Sequence, residues 1–288
     1  MKAIVKILTF FCLFSAQAAA VVPGTPIERE LRFLTDSLQG GRAFGSPEAQ
    51  STAFYLLRQL RNEGLRTTVQ SFEYGGKTGH NVVAVTPGWY KQYIVIGAYY
   101  DGLGMLSGEF YPGADSNASG VAALLTLARE LPSACKGDVG LIFVAFDGHN
   151  ASMSGSKEFV ARYASEYNIK LMVNLDILGS GEAPLRKGRP DYILALGGAT
   201  YRLTMQNANR LIGLDMAFDY YGSRNFTDLF YRKISDQKWF LDAGIPAVMF
   251  TSGITMNTNK VTDTLANIDL DLLSKRVAFI SRWINSLI

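Results

Sequence analysis

Between residues 67 and 250, short runs of β-forming residues take turns with stretches of helical period, an order that few folds can accommodate. Residues 67–74, 81–86 and 92–99 are rich in Val, Ile, Thr and Tyr and are separated by Gly and Pro, as strands are. Ile94-Val95-Ile96 is apolar on both faces, which suits a central strand with helices on either side. Beyond it the pattern predicts a helix over 119–131, a strand over 139–146, a helix over 155–164 and strands over 170–178 and 192–196. A helix over 199–211, further short helices and a strand over 247–250 follow. Two helices precede the strands: one over 26–38, and one capped by Ser46 with Pro47 at its first position and Gly64 as its stop. The last helix carries Leu273, Val277, Ile280, Ile284 and Leu287 on one stripe. The expectation is a three-layer α/β/α sandwich around a mixed, mostly parallel sheet.

The first twenty residues combine Lys2 and Lys6 with an apolar run and end on small residues, which predicts a secretory signal over 1–20 and one domain over 21–288. That apolar run is shorter than the roughly 20 residues a membrane span needs, and no later segment reaches that length. An exported, periplasmic or extracellular protein without a membrane span is expected. Of the two cysteines, Cys12 leaves with the signal and Cys135 has no partner, so stability must come from the core. The net charge of +3 falls to +1 without Lys2 and Lys6, and the charges are scattered, which argues against nucleic acid as a partner. The oligomeric state stays open.

In such sheets ligands bind beyond the C-terminal strand ends. Four strands there run into polar clusters: Tyr99-Tyr100-Asp101, Asp147-Gly148-His149-Asn150, Asp176 within VNLDILG, and Asn257-Thr258-Asn259. A fifth cluster, GADSNASG, opens a helix with Asp115. Together with IVIGAYYD, FVAFDG followed by GSKEF, and GIPAVMFTSG followed by TDT, these blocks resemble the zinc-dependent exopeptidases. That family includes bacterial leucyl aminopeptidases and, more distantly, glutaminyl cyclases. The resemblance runs from about Leu38 to the C-terminus, so it implies the zinc-aminopeptidase fold.

The resemblance also implies two zincs sharing one aspartate, each held further by a histidine and a carboxylate, with a glutamate as general base. Asp115 matches the bridging aspartate and Asp176 a second carboxylate. At the other positions this chain has Tyr99 and Asn259 for the histidines, and His149 and Asn150 for paired glutamates. A shift by one residue in the 253–264 loop would put Lys260 at the last of these. Zinc favours imidazole and thiolate, and neither matched histidine is present. The oxygen-only set would suit a hard cation better than zinc, and no cofactor is expected.

Two functional readings follow, beside a third in which the chain has a purely structural or scaffold role. In one, the chain is a non-catalytic member of the fold that binds a peptide or protein N-terminus, or another ligand, in the inherited cleft. In the other, it is an active metallo-exopeptidase whose single zinc is held by Asp115, Asp176 and His149. His149 stands at the general-base position and titrates in a useful range, but without zinc nothing brings a water pKa down from 15.7 to about 7. Tyr99, Tyr100, Phe110, Tyr111, Trp239 and Phe240 are candidates for an apolar specificity pocket, or simply for core. A structural role remains open for Asp115, as an acidic first-turn residue, and for Asp176, held by hydrogen bonds. No GxSxG elbow occurs, which argues against a serine hydrolase.

Overall fold

The structure, a computed structural model, describes residues 24–135 and 137–288. The expected signal at 1–20 lies outside the described residues. Among the described residues ten strands form: β1 Arg66–Tyr74, β2 Lys77–Val85, β3 Gln92–Tyr99, β4 Gly104–Leu106, β5 Glu109–Tyr111, β6 Val139–Phe146, β7 Ile169–Leu175, β8 Tyr192–Leu196, β9 Asp215–Ala217 and β10 Ala247–Thr251. The helices are α1 Pro26–Thr35, α2 Pro47–Asn62, α3 Ser119–Glu130, α4 Ser154–Tyr163, α5 Arg202–Asn209, α6 Arg224–Arg232, α7 Gln237–Asp242 and α8 Leu270–Asn285.

Eight strands make one sheet in the order β1-β2-β6-β3-β7-β10-β8-β9, and β4 with β5 forms a separate hairpin. The central strands β6, β3, β7 and β10 are parallel, with antiparallel pairing from β1 to β6 and between β10 and β8. The sheet is therefore mixed, with parallel strands at its centre, as the apolar β3 sequence required. Ile94 and Ile96 point into a core shared with α1, α2, α3, α5 and α8. Val95 points the other way, into a smaller core closed by Phe159 of α4 and Phe240 of α7. Burial on both faces removes the polar alternation that a one-sided strand would show.

Local chemistry sets the helix ends. The Ser46 hydroxyl accepts from the Ala49 amide, as its cap position predicted, and the Asp269 carboxylate accepts from Leu272 at the start of α8. The sequence did not resolve the β4–β5 hairpin or β9, each of whose strands is only three residues long. The 199–211 helix begins later, at Arg202, because a tighter turn fills 198–201.

The end of α1 and the loops on either side of the cleft meet at one buried cation. Arg42 donates to the carbonyls of Tyr100 (2.8 Å), Pro112 (3.0 Å) and Gly113 (3.1 Å), and to Leu34 at the end of α1. Burial lowers its pKa to about 10, opposed by the nearby Asp101 and Asp263. Just before it, Gly41 has φ +68°, and a Cβ there would stand 2.6 Å from the Tyr111 carbonyl, so only glycine fits. Replacing Arg42 by Met removes the donor from the Tyr100, Leu34 and Pro112 carbonyls, while the Gly113 carbonyl keeps the Ala118 amide. A loss of about 3–5 kcal/mol in urea denaturation is expected, with a smaller loss for Arg42→Lys, which keeps the charge but not the fork.

Candidate ligand site at the strand ends

The parallel strands deliver their polar ends to one place. Tyr99 closes β3, His149 follows β6, Asp176 follows β7 and Asn259 lies in the loop after β10. All four line a single cavity of about 100 Å³. Tyr220, Phe230, Ile234, Met249 and Ile254 form an apolar wall, and Ser116, Ser235, Thr251 and Thr258 add hydroxyls to the lining. Asn259 lines the cavity and Lys260 does not.

Asp115 does not come with them. Its Oδ1 accepts from the Gly179 amide (2.6 Å) and the Ser119 hydroxyl (3.1 Å), and Oδ2 is buried without a partner among the described residues. Burial, reinforced by Asp263 and opposed by these donors and by Arg276, raises its pKa to about 7. Its role is to tie the start of α3 to the loop after β7. The residue that faces the cavity from this segment is Ser116, whose hydroxyl lies 3.2 Å from the Tyr99 phenol and donates to Asn259 Oδ1 at 3.1 Å. The pocket position matched to Asp115 is thus filled by a serine, because the backbone amides of Asp115 and Ser116 are pinned to Asp263 (2.7 and 3.0 Å).

Asn150 also leaves the site. Its side-chain amide and its backbone N–H both donate to Asp101, which accepts from the His149 N–H as well. Asp101 thereby fixes the loop after β6, and Asn117 fixes the strand ends by donating to the Tyr99 and Leu175 carbonyls and accepting from Ile177.

The aromatic expectation needs correction in the same way. Of the six residues named, only Tyr99 lines the cavity. Tyr100 points across the sheet and donates to the His80 carbonyl, Phe240 belongs to the smaller core, and Lys238 covers Trp239. Phe110 and Tyr111 lie in β5. The apolar wall comes instead from around α6 and from β10, in sequence with no motif to mark it.

His149 is held on three sides. Its Nδ1 is 2.8 Å from Asp236 Oδ2, its ring stacks on Tyr99 with centroids 3.7 Å apart and planes within 10°, and its N–H is bound to Asp101. Asp236 is fully buried and its other oxygen accepts from Ser156 at 2.6 Å. Burial opposes the imidazolium, but Asp236, then Asp176 and Asp101, outweigh it and raise the His149 pKa to about 9. The Asp236 carboxylate thereby favours the imidazolium form at neutral pH. Beside it, Ser235 donates to Asp176 Oδ2 and accepts from Asn174 at 2.8 Å. Burial raises the pKa of Asp176, and burial with the Asp176 charge raises that of Tyr99 well above the ordinary value, so the phenol stays neutral.

Sequence reasoning missed Ser116, Ser235 and Asp236. The first sits next to Asp115 and only backbone direction distinguishes them. The other two lie between short helices, where nothing in the residue pattern foretells that they reach the ends of β6 and β7.

The donor set does not fit zinc. It offers a neutral phenol, a serine, an amide, one carboxylate and a protonated imidazole, whereas zinc takes neutral imidazole, thiolate or carboxylate. Among the described residues, no three of His, Cys, Asp and Glu are grouped to hold a metal ion. The alternative set of Asp115, Asp176 and His149 does not converge, since Asp115 is turned onto Gly179.

Comparison with known proteins places the scaffold. The zinc aminopeptidase BSAP from Bacillus subtilis superposes with TM-score 0.74 at 14% identity, covering 91% of this chain and 94% of that one. A glutaminyl cyclase from Porphyromonas gingivalis superposes with TM-score 0.71 at 16% identity, covering 91% and 98%. In sequence, the uncharacterized protein YfbL of Escherichia coli K12 is 30% identical over 171 residues, covering 55% of this chain and 53% of YfbL. The chain therefore spans about half the length of such relatives. The model of peptidase family M28 matches residues 81–284, from the middle of β2 to the end of α8. On that match and on the shared fold, the chain belongs to peptidase family M28.

Proposed function

We propose that this chain is an exported peptidase-fold binding protein that holds a peptide N-terminus or another small ligand in its cleft without cutting it. The observation that carries this reading is the buried His149–Asp236 pair, which puts a fixed cation where the resembled enzymes have a general base beside a metal. A cation there repels a divalent metal and is already protonated, so it cannot take a proton from water near neutral pH. Without a metal to acidify it, water keeps a pKa near 15.7 instead of about 7, a deficit of roughly 12 kcal/mol. No single side chain in the cavity offsets that.

Elemental analysis beside an aminopeptidase screen tests the reading. Protein equilibrated with zinc and dialysed is expected to retain well under one zinc per chain and to show no turnover that a chelator abolishes. Stoichiometric zinc with chelator-sensitive turnover would establish the active single-metal alternative.

The placement of Ser116 makes a second prediction. The Ser116 hydroxyl lies 3.2 Å from the Tyr99 phenol and 3.1 Å from Asn259 Oδ1, near the roughly 3.4 Å between ligand atoms around tetrahedral zinc. Combining Tyr99→His, Ser116→Asp and Asn259→His with the native Asp176 should create zinc binding detectable by calorimetry. The same variant with Ser116 left in place should bind at least roughly tenfold more weakly. Equal affinity would mean that Asp115, not position 116, serves the cavity.

A further inference from the structure

The charges around the cavity define the ligand more narrowly than the cleft alone does. His149 cannot swing away: Asp236 holds Nδ1, Tyr99 holds the ring face and Asp101 holds the backbone. The remaining nitrogen, Nε2, has no partner among the described residues, and the residue lines the cavity. Asp176 lines the same cavity and acts on the His149 charge. The hydroxyls of Tyr99 and Ser116 and the Asn259 amide complete the polar floor. The cavity thus presents an imidazole, backed by the buried Asp236 carboxylate 2.8 Å from its Nδ1, and the Asp176 carboxylate to a volume of about 100 Å³.

A ligand entering that volume displaces water from both groups, and a buried charge left without an opposite partner is costly. A peptide N-terminus brings an ammonium but only a neutral carbonyl, and a C-terminus brings a carboxylate but only a neutral amide. The head of an α-amino acid carries both charges on one carbon. Resting on the metal-free reading above, we infer that the cavity takes a free α-amino acid, its carboxylate on His149 Nε2 and its ammonium on Asp176. Asp236, His149, the ligand carboxylate, the ligand ammonium and Asp176 then alternate in sign across the site. The walls of Phe230, Ile234, Met249 and Ile254 receive an apolar side chain.

The two histidines make the test direct, because His80 lies on β2 away from the cavity and serves as an internal control. L-leucine, L-leucinamide and 4-methylpentanoate are titrated into the wild-type chain while the imidazole resonances are followed by NMR, with zinc measured on the same sample. The expected result is that L-leucine shifts His149 and leaves His80 in place. Leucinamide, which lacks the carboxylate, and 4-methylpentanoate, which lacks the ammonium, should each bind at least roughly tenfold more weakly, the loss of one charged hydrogen bond. Leucinamide binding as tightly as leucine would remove the role given to His149, and equal binding of 4-methylpentanoate the role given to Asp176. Zinc-free protein whose His149 ignores leucine overturns this inference alone, whereas a zinc-bearing preparation overturns the metal-free reading on which it rests.

Discussion

The ion pair between His149 and Asp236 governs the character of the cleft. Asp236 is fully buried, and a buried carboxylate needs a cation or several donors close by. It has the imidazole at 2.8 Å and the Ser156 hydroxyl at 2.6 Å. The pair raises the His149 pKa from 6.5 to about 9, so its stabilisation is complete below pH 6.5 and is lost as pH rises through 9. A shift of that size corresponds to about 3 kcal/mol as an order of magnitude. Asp115 and Asp147, both raised to about 7 chiefly by burial, act in the same direction between their ordinary pKa of 3.8 and 7. Each of these three groups therefore contributes less to stability as pH rises through its window.

Around that pair, most of the acidic residues that cluster at the strand ends serve the backbone. Asp101 accepts from the His149 and Asn150 amides, Asp147 from His80 and Gly148, and Asp263 from Asp115 and Ser116. Each carboxylate closes a loop that has no regular secondary structure to satisfy its N–H groups. Arg42 and Arg276 do the same for carbonyls, Arg276 by donating to Leu178, Ser180 and Tyr192. The loops that surround the cavity are thereby fixed before any ligand arrives. This supporting frame lies within the part of the chain that matches peptidase family M28, residues 81–284, and it surrounds a cavity where no three of His, Cys, Asp and Glu are grouped among the described residues.

The frame was legible in the sequence because periodicity reports burial. Residues 92–99, 139–146 and 192–196 were bounded correctly from their apolar runs, and the Ser46-Pro47 cap placed the start of α2. Tyr99, His149, Asp176 and Asn259 were found because they follow core strands directly, where chain direction leaves little freedom. Asp115, which matches the bridging aspartate in sequence, is one residue off the cavity that Ser116 lines: the two side chains of this irregular turn point to different sides, and composition carries no record of which. Asn150 failed for a related reason, since its position is right but its amide is claimed by Asp101. Ser235 and Asp236 reach the site across about 60 and 90 residues of chain, a purely tertiary relation that no local pattern encodes.

The central claim is that a permanent imidazolium occupies the cleft, and titration of the two imidazole rings by NMR measures it directly. His149 should remain protonated through neutral pH with a midpoint near 9, while His80, whose pKa is lowered chiefly by burial, titrates below 6.5. A His149 midpoint at or below 6.5 would mean that the ring is neutral at physiological pH, available to a metal or as a base, and would contradict the account.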